Sequence, residues 1–283
     1  MKRQILSALG ITILGVASYA STFMEVKTKD GEIVKFDVND VDEVVFEDET
    51  TPVDTTPSSN HEYVDLGLPS GTLWATYNIG ATKPEEYGDY FAWGETEPKE
   101  VYDWSTYKYA KVDKYSDLES LSRYNFGKYR KKGVIDSLSI LIPEDDVTTV
   151  IWGNEWRMPT NEEQRELVEE CYVVWTDSYN GSDVGGIIVY KAKNADDKGK
   201  FVGKQQTPLT DYTATDAHIF LPAAGYLFAS DTFYVGKSGF YWSATLYEAS
   251  DAYSRHIRFY EKDAYFYYHF RQTGFPVRAV RAK

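Results

Sequence analysis

The side chains best suited to grip a ligand crowd the span between Tyr247 and His269. Tyr247, Tyr253, Tyr260, Tyr265, Tyr267 and Tyr268 share it with Arg255 and His269. A tyrosine ring is rigid, apolar on its faces and polar at its tip, so it can stack on a sugar or a peptide and still donate a hydrogen bond. Tyr265, Tyr267 and His269 recur at period two, which puts them on one face of a strand, with Phe266, Tyr268 and Phe270 on the other. One face can pack while the other offers its rings. The candidate ligand-contact residues are therefore Tyr247, Tyr253, Arg255, Tyr265, Tyr267 and His269. The plainer reading, in which these rings only cover a sheet, stands beside it with equal weight.

Catalytic and metal chemistry find less support. The four histidines are His61, His218, His256 and His269, and no two stand four apart on a helix or beside a cysteine, as a zinc site would need. His256 and His269 could meet across a hairpin, as a surface pair. The acids Pro143-Glu144-Asp145-Asp146 read as first-turn acids of a helix, because successive helical residues do not face one cation. Glu95 and Glu97 flank a turn, but a glycosidase needs two acids about 5–10 Å apart, and chain spacing alone does not define that distance. Nucleophile-elbow, Walker and dinucleotide motifs are missing. The expectation is a chain without catalysis, cofactor or metal.

Composition narrows the setting. A net charge of −14 repels phosphate backbones and argues against nucleic acid. Lys2 and Arg3, then the uncharged run from Ile5 to Val16, then Ser18-Tyr19-Ala20 have the layout of an export signal cut after Ala20. The run is shorter than the roughly 20 residues of a membrane span. Cys171 is the single cysteine, so no intrachain disulfide forms and no lipid is attached at the cut. Cys171 reads as a buried packing residue. These features together predict an extracytoplasmic product, periplasmic or secreted, of a bacterium.

The elements that must position the tyrosines follow from the remaining text. Residues 1–20 are the signal and residues 21–48 a small β-hairpin unit, with Asp30-Gly31 as its turn and a third short strand at Val44-Val45-Phe46. Residues 49–60 form a linker rich in Thr, Pro and Ser. Residues 61–283 form the main domain. Within it, residues 101–133 are Tyr- and Lys-rich with little period, which predicts a long surface insertion. One helix starts near Pro143. A second opens on the capping box Thr160-Asn161-Glu162-Glu163 and continues through Leu167, Val168 and Cys171. Strands follow at Gly186–Tyr190, His218–Pro222, Gly239–Ala244, Arg255–Phe259 and Phe275–Arg281.

Six blocks carry a resemblance. They are Tyr63-Val64-Asp65-Leu66-Gly67-Leu68-Pro69-Ser70-Gly71-Thr72-Leu73-Trp74-Ala75, Glu86-Tyr87-Gly88-Asp89-Tyr90-Phe91-Ala92-Trp93-Gly94-Glu95, and Pro143 to Asp146 with Trp152-Gly153-Asn154-Glu155-Trp156-Arg157-Met158-Pro159-Thr160. Phe220-Leu221-Pro222-Ala223-Ala224-Gly225-Tyr226, Gly239-Phe240-Tyr241-Trp242-Ser243-Ala244 and Val277-Arg278-Ala279-Val280-Arg281 complete the set. In this order they resemble the Fibrobacter succinogenes major paralogous domain family, found in exported proteins of Bacteroidetes-type bacteria. The resemblance implies an α+β fold of the C-type lectin-like kind, with two helices and twisted antiparallel sheets, preceded by the small hairpin unit. Lectins of that fold that bind sugar through calcium use motifs lacking here, and the cysteine pair of formylglycine-generating enzymes is lacking too. Variable ligand-binding proteins of the fold place Tyr-rich segments just before the last strand. Asp54-Thr55-Thr56 resembles the O-glycosylation sites of secreted Bacteroidetes proteins, with Thr55 as acceptor.

The expectation is a secreted, non-catalytic recognition module that binds a glycan or protein at the cell exterior, with no nucleic acid and no membrane span in the mature chain. One alternative is a structural or adhesive surface component that assembles through the hairpin. A second is a glycan hydrolase.

Overall fold

The computed structural model describes residues 23–27, 33–37, 61–114, 117–128 and 133–283. Two units divide the chain, Met1–Ser59 and Asn60–Lys283. In the first, β1 (Phe23–Lys27) and β2 (Ile33–Asp37) pair antiparallel, with Phe23 opposite Asp37 and Lys27 opposite Ile33. The expected export signal, the Asp30-Gly31 turn, the third strand at 44–46, the linker and Thr55 lie outside the described residues.

The second unit begins with β3 (Tyr63–Val64) and β4 (Leu73–Asn78), followed by the hairpin β5 (Ala110–Val112) and β6 (Leu118–Leu121). Then come α1 (Val147–Trp152), α2 (Asn161–Glu169), β7 (Cys171–Thr176), β8 (Gly186–Lys191), β9 (Phe201–Val202) and β10 (His218–Pro222). The last stretch holds β11 (Tyr226–Phe228), β12 (Asp231–Phe233), β13 (Ser238–Leu246), β14 (Tyr253–Tyr260), β15 (Asp263–Phe270) and β16 (Arg278–Arg281). They form several small sheets, ordered β10-β8-β7-β9, β13-β14-β15 and β16-β4-β3, with two-stranded pairs β5-β6 and β11-β12.

This architecture is mainly β and corrects the expected α+β, C-type lectin-like class. Both expected helices exist, but they hold 6 and 9 residues and build no layer of their own. The reasons are local. Pro143–Asp145 makes only a 3-10 turn, and α1 starts afresh where the Asp146 carboxylate accepts from the Thr148 N–H. Gly153, at a φ of 92° open to glycine, then ends it. The capping box of α2 forms as expected, with Thr160 accepting from the Glu163 N–H and Glu163 accepting from the Thr160 N–H. Its apolar stripe stops early, because Cys171-Tyr172-Val173-Val174 enters β7, where β-branched and aromatic residues fit a pleated sheet better than a helix. Cys171 is buried as expected, but in a strand.

A second correction concerns residues 101–133. Tyr102, Tyr107, Tyr109, Leu118, Leu121 and Tyr124 from this stretch are buried in the core rather than spread over the surface. Their hydroxyls explain how. Tyr102 donates to the Tyr90 carbonyl, Tyr107 to the Trp93 carbonyl, and Tyr109 and Tyr124 to the Asp145 carboxylate. Tyrosine can fill a core only when its polar tip is met, and here each tip is.

The residues of the six blocks converge in this interior. Trp93 donates its indole N–H to the Ser243 carbonyl and Trp242 to that of Phe91. Arg278, 1% exposed, donates to the carbonyls of Ala75, Thr76 and Phe220 and to Asn78 Oδ1. Burial without a carboxylate partner pulls its pKa down to about 10. Arg271 is buried likewise and donates to Tyr107 Oη and to the carbonyls of Arg123, Tyr124 and Asp251. The blocks therefore hold sheets together, and the candidate binding residues sit elsewhere.

Candidate functional site

The sheet β13-β14-β15 carries all six candidate residues in or next to its strands, and its register sorts them. Arg258 stands opposite Phe240 on β13 and Tyr265 on β15; His256 stands opposite Trp242 and Tyr267; Ser254 stands opposite His269. Directly opposed residues share a face. Face A therefore holds Phe240, Trp242, Ser254, His256, Arg258, Tyr260, Tyr265, Tyr267 and His269. Face B holds Tyr253, Arg255, Tyr268 and Phe270, with Arg255 opposite Tyr268 and Tyr253 opposite Phe270. The period-two reading of β15 is reproduced, and it separates the expected site into two groups.

On face A, burial is graded across the sheet. Phe240 and Trp242 are inside the core, while Tyr265 and Tyr267 on outermost β15 are 45% and 56% exposed. Tyr265 lies parallel to Tyr260, centroids 5.8 Å apart and planes 9° apart, with a hydroxyl–hydroxyl hydrogen bond of 3.1 Å. That bond and the nearby Asp263 carboxylate push the Tyr265 phenol up to about 12. The Tyr265 phenol is therefore neutral at ordinary pH.

Tyr260 also lines a groove of about 440 Å³ between the end of β7 and the β14–β15 turn. Trp175, Tyr234, Tyr260 and Arg258 are among its walls, together with Lys204, Lys237, Asp177 and Glu261. The Arg258 guanidinium lies 5.7 Å from the Tyr234 centroid and 5.2 Å from that of Phe240. These cation–π contacts fix its position. Its Nε is buried and without a hydrogen-bond partner, and among the described residues no carboxylate pairs with it. Tyr234 is half exposed and adopts a left-handed backbone, φ 58°, which is costly for a bulky side chain. The turn is held by the Lys237 and Ser238 N–H groups, both donating to the Tyr234 carbonyl. Asp177 is already engaged, by Lys204 at 2.9 Å and by the Trp175 indole at 3.0 Å, and both bonds hold its carboxyl below the usual range.

On face B, Arg255 lies 4.9 Å from the Tyr247 centroid and pairs with the exposed Glu248 through Nε and Nη2. Tyr247 stacks on Tyr268 at 4.0 Å and 12°. Tyr268 in turn lies parallel to Tyr267 at 4.7 Å and 8°, so a three-ring stack wraps the outer edge of the sheet. Tyr253 packs on Phe270 at 4.4 Å, partly buried against the core.

The histidine pair forms, with His256 inside the protein and His269 partly buried above it. The His256 and His269 rings stand 6.2 Å apart beneath Tyr267 and beside Phe275. His256 is 1% exposed and its Nδ1 has no partner. Burial drives its pKa well below 6.5, with His269 and Arg258 adding repulsion. Burial likewise lowers His269 to about 4, although its Nδ1 contacts Thr273 Oγ1 at 2.9 Å. His269 is thus a support behind the exposed rings rather than one of them.

Sequence reasoning missed Arg258, Tyr234, Trp175, Lys204 and Lys237. Arg258 had a signal, because it shares period two with His256 and Tyr260 on β14. Tyr234 had none, since it arrives from a separate turn.

Comparison with known proteins adds one partial match. Residues 205–280 match the family described as a domain of unknown function, DUF8237. The match spans β10 to the start of β16, and so covers Tyr234, Arg258 and all six expected residues. No curated protein and no solved structure matches the chain.

Proposed function

We propose that this chain is a non-catalytic recognition module that binds a glycan on face A of the β13-β14-β15 sheet. One observation carries the reading: the exposed rings of Tyr265 and Tyr267 share face A, and the parallel Tyr260–Tyr265 pair leads from that face into the groove that Arg258 and Tyr234 line. Flat, rigid rings in a row suit the apolar faces of sugar units, and their hydroxyls suit the sugar oxygens. A strained Tyr234 and a half-buried arginine whose Nε has no partner fit a site kept for binding, since neither favours the fold.

The non-catalytic part rests on Asp177, one of the groove's two acids. A glycosidase needs a general acid held protonated near neutral pH. Asp177 is driven the other way, toward the charged form, by Lys204 and Trp175. The export-type start supports work outside the cytoplasm, and the six ordered blocks support kinship with the Fibrobacter succinogenes major paralogous domain proteins. Among the described residues no helix is long and apolar enough to cross a membrane.

A glycan array with the full chain and the variants Tyr265→Ala and Tyr267→Ala tests the reading. Binding to a glycan class that both changes weaken at least fivefold is expected. No glycan bound, or binding indifferent to both changes, would refute it.

A further inference from the structure

We propose that the groove reads an acidic sugar, with the sugar's carboxylate seated on Arg258; this rests on the glycan-binding reading above. Arg258 is the starting point. A guanidinium half inside a protein normally meets a carboxylate or several carbonyls, as Arg255 meets Glu248 and as Arg278 meets three carbonyls and Asn78. Arg258 has two aromatic neighbours and a buried Nε with no acceptor. The rings position its charge, and among the described residues no carboxylate pairs with it, so the fork's outer Nη groups are what a groove ligand would meet.

The surroundings agree. In a chain of net charge −14, this groove gathers Lys204, Lys237 and Arg258 against Asp177 and Glu261; the Lys204–Asp177 pair cancels, which leaves two cations, Lys237 and Arg258, against Glu261. Cations along a concave, partly apolar wall concentrate anions. A planar carboxylate matches the arginine fork, whose donors are fixed in one plane. The rings of Tyr234 and Tyr260 beside it provide faces for the sugar ring that bears the carboxylate. The groove volume of about 440 Å³ lies within the usual range for small-ligand sites, roughly 300–1,000 Å³. An acidic peptide would also supply carboxylates. The exposed Tyr265 and Tyr267 rings on the same face favour a polymer of acidic sugar rings over an acidic peptide, whose Asp and Glu side chains carry no ring.

The left-handed Tyr234 fits this role. Gly225 is forced by close approach, because a Cβ there would stand 2.0 Å from the Phe233 carbonyl oxygen. Tyr234 has no such compulsion: a glycine would relax the backbone, yet a tyrosine stands there and places its ring at the guanidinium.

The test is calorimetric titration of the full chain with galacturonate and glucuronate oligosaccharides, with the same oligosaccharides after carboxyl reduction, and with poly-glutamate. Wild-type protein is expected to bind the acidic sugars at least tenfold more tightly than the reduced ones. Arg258→Gln is expected to erase that difference, and Tyr234→Gly to weaken acidic-sugar binding severalfold while the protein stays folded. The carboxyl-reduced ligand keeps the test independent of how any variant folds. Equal binding of acidic and reduced sugars would overturn this inference and leave the glycan reading intact. No binding of either would overturn this inference, and the glycan array then decides the glycan reading separately. Poly-glutamate bound as tightly as the sugars would overturn it in favour of an acidic peptide.

Discussion

Arg255 and Arg258 stand three positions apart on one strand, and because a strand repeats every two residues they fall on opposite faces. Each lies against a tyrosine, Tyr247 for Arg255 and Tyr234 for Arg258. The difference is in the counter-charge. Arg255 has Glu248, while Arg258 has an orphan Nε and no carboxylate among the described residues. An arginine and a tyrosine in contact are common surface furniture. Only where the charge has been left unanswered does the pair hold something for a ligand. That contrast separates face A, read as the site, from face B, read as a self-satisfied edge.

The strongest way to break the comparison is to remove the sheet that separates the faces. Gly239 on β13 lies under the Phe259 ring, and a Cβ there would stand 2.1 Å from it. Gly239→Val is expected to cost about 3 kcal/mol, read from urea denaturation, and to abolish ligand binding on face A. A loss under about 1 kcal/mol would mean that the ring can swing aside and that the sheet is less rigid than described.

Acid should separate the faces next. His256 and His269 lie behind face A only, facing each other, with Arg258 and Tyr267 beside His256 and Tyr226 beside His269. Burial lowers their folded pKa values below the unfolded 6.5, that of His269 to about 4. Between those limits the unfolded chain binds more protons, so stability is full above pH 6.5 and falls as pH drops toward 4. A loss on the order of 2 kcal/mol between pH 7 and 5 is expected in denaturation midpoints, with a clearly shallower slope in His269→Gln. An unchanged slope in that variant would contradict the burial account of His269.

How far the sequence reached differs between regions for physical reasons. The capping box at Thr160, the hairpin strands β1 and β2, and the alternation of Tyr265, Tyr267 and His269 were all legible, because each is a local pattern with a local cause. The tyrosines at 102–124 were not. Their burial depends on acceptors far away in the chain, such as Asp145 for Tyr109 and Tyr124. The fold class failed for the same reason. A capping signal tells where a helix starts, and says nothing of α2 giving way to β7 within a few residues. In the candidate site, Arg255 drew notice by standing among tyrosines. Arg258 and Tyr234 become a pair only through the turn that leads into β13, which no period encodes.

The smallest expected effect sharpens the comparison from the other side. Glu248 is an exposed partner, so Glu248→Gln should change stability by less than about 0.5 kcal/mol. It leaves Arg255 with the Tyr247 ring but without its counter-charge. Titration with galacturonate oligosaccharide should then detect a second, weak class of sites that the wild-type chain lacks. If none appears, an unanswered charge beside a tyrosine is insufficient, and the groove around Arg258 must contribute more than its arginine.

The most direct measurement sets the two arginines side by side. Arg258→Gln and Arg255→Gln, both checked for folding by circular dichroism, are titrated with galacturonate oligosaccharide at low and at physiological salt. A charge-assisted contact contributes about 1.5–3 kcal/mol, so Arg258→Gln should weaken binding by roughly tenfold to a hundredfold. It should also flatten the salt dependence, with Arg255→Gln staying within about twofold of wild type. Equal losses in the two variants, or a larger loss in Arg255→Gln, would contradict the assignment of the site to face A.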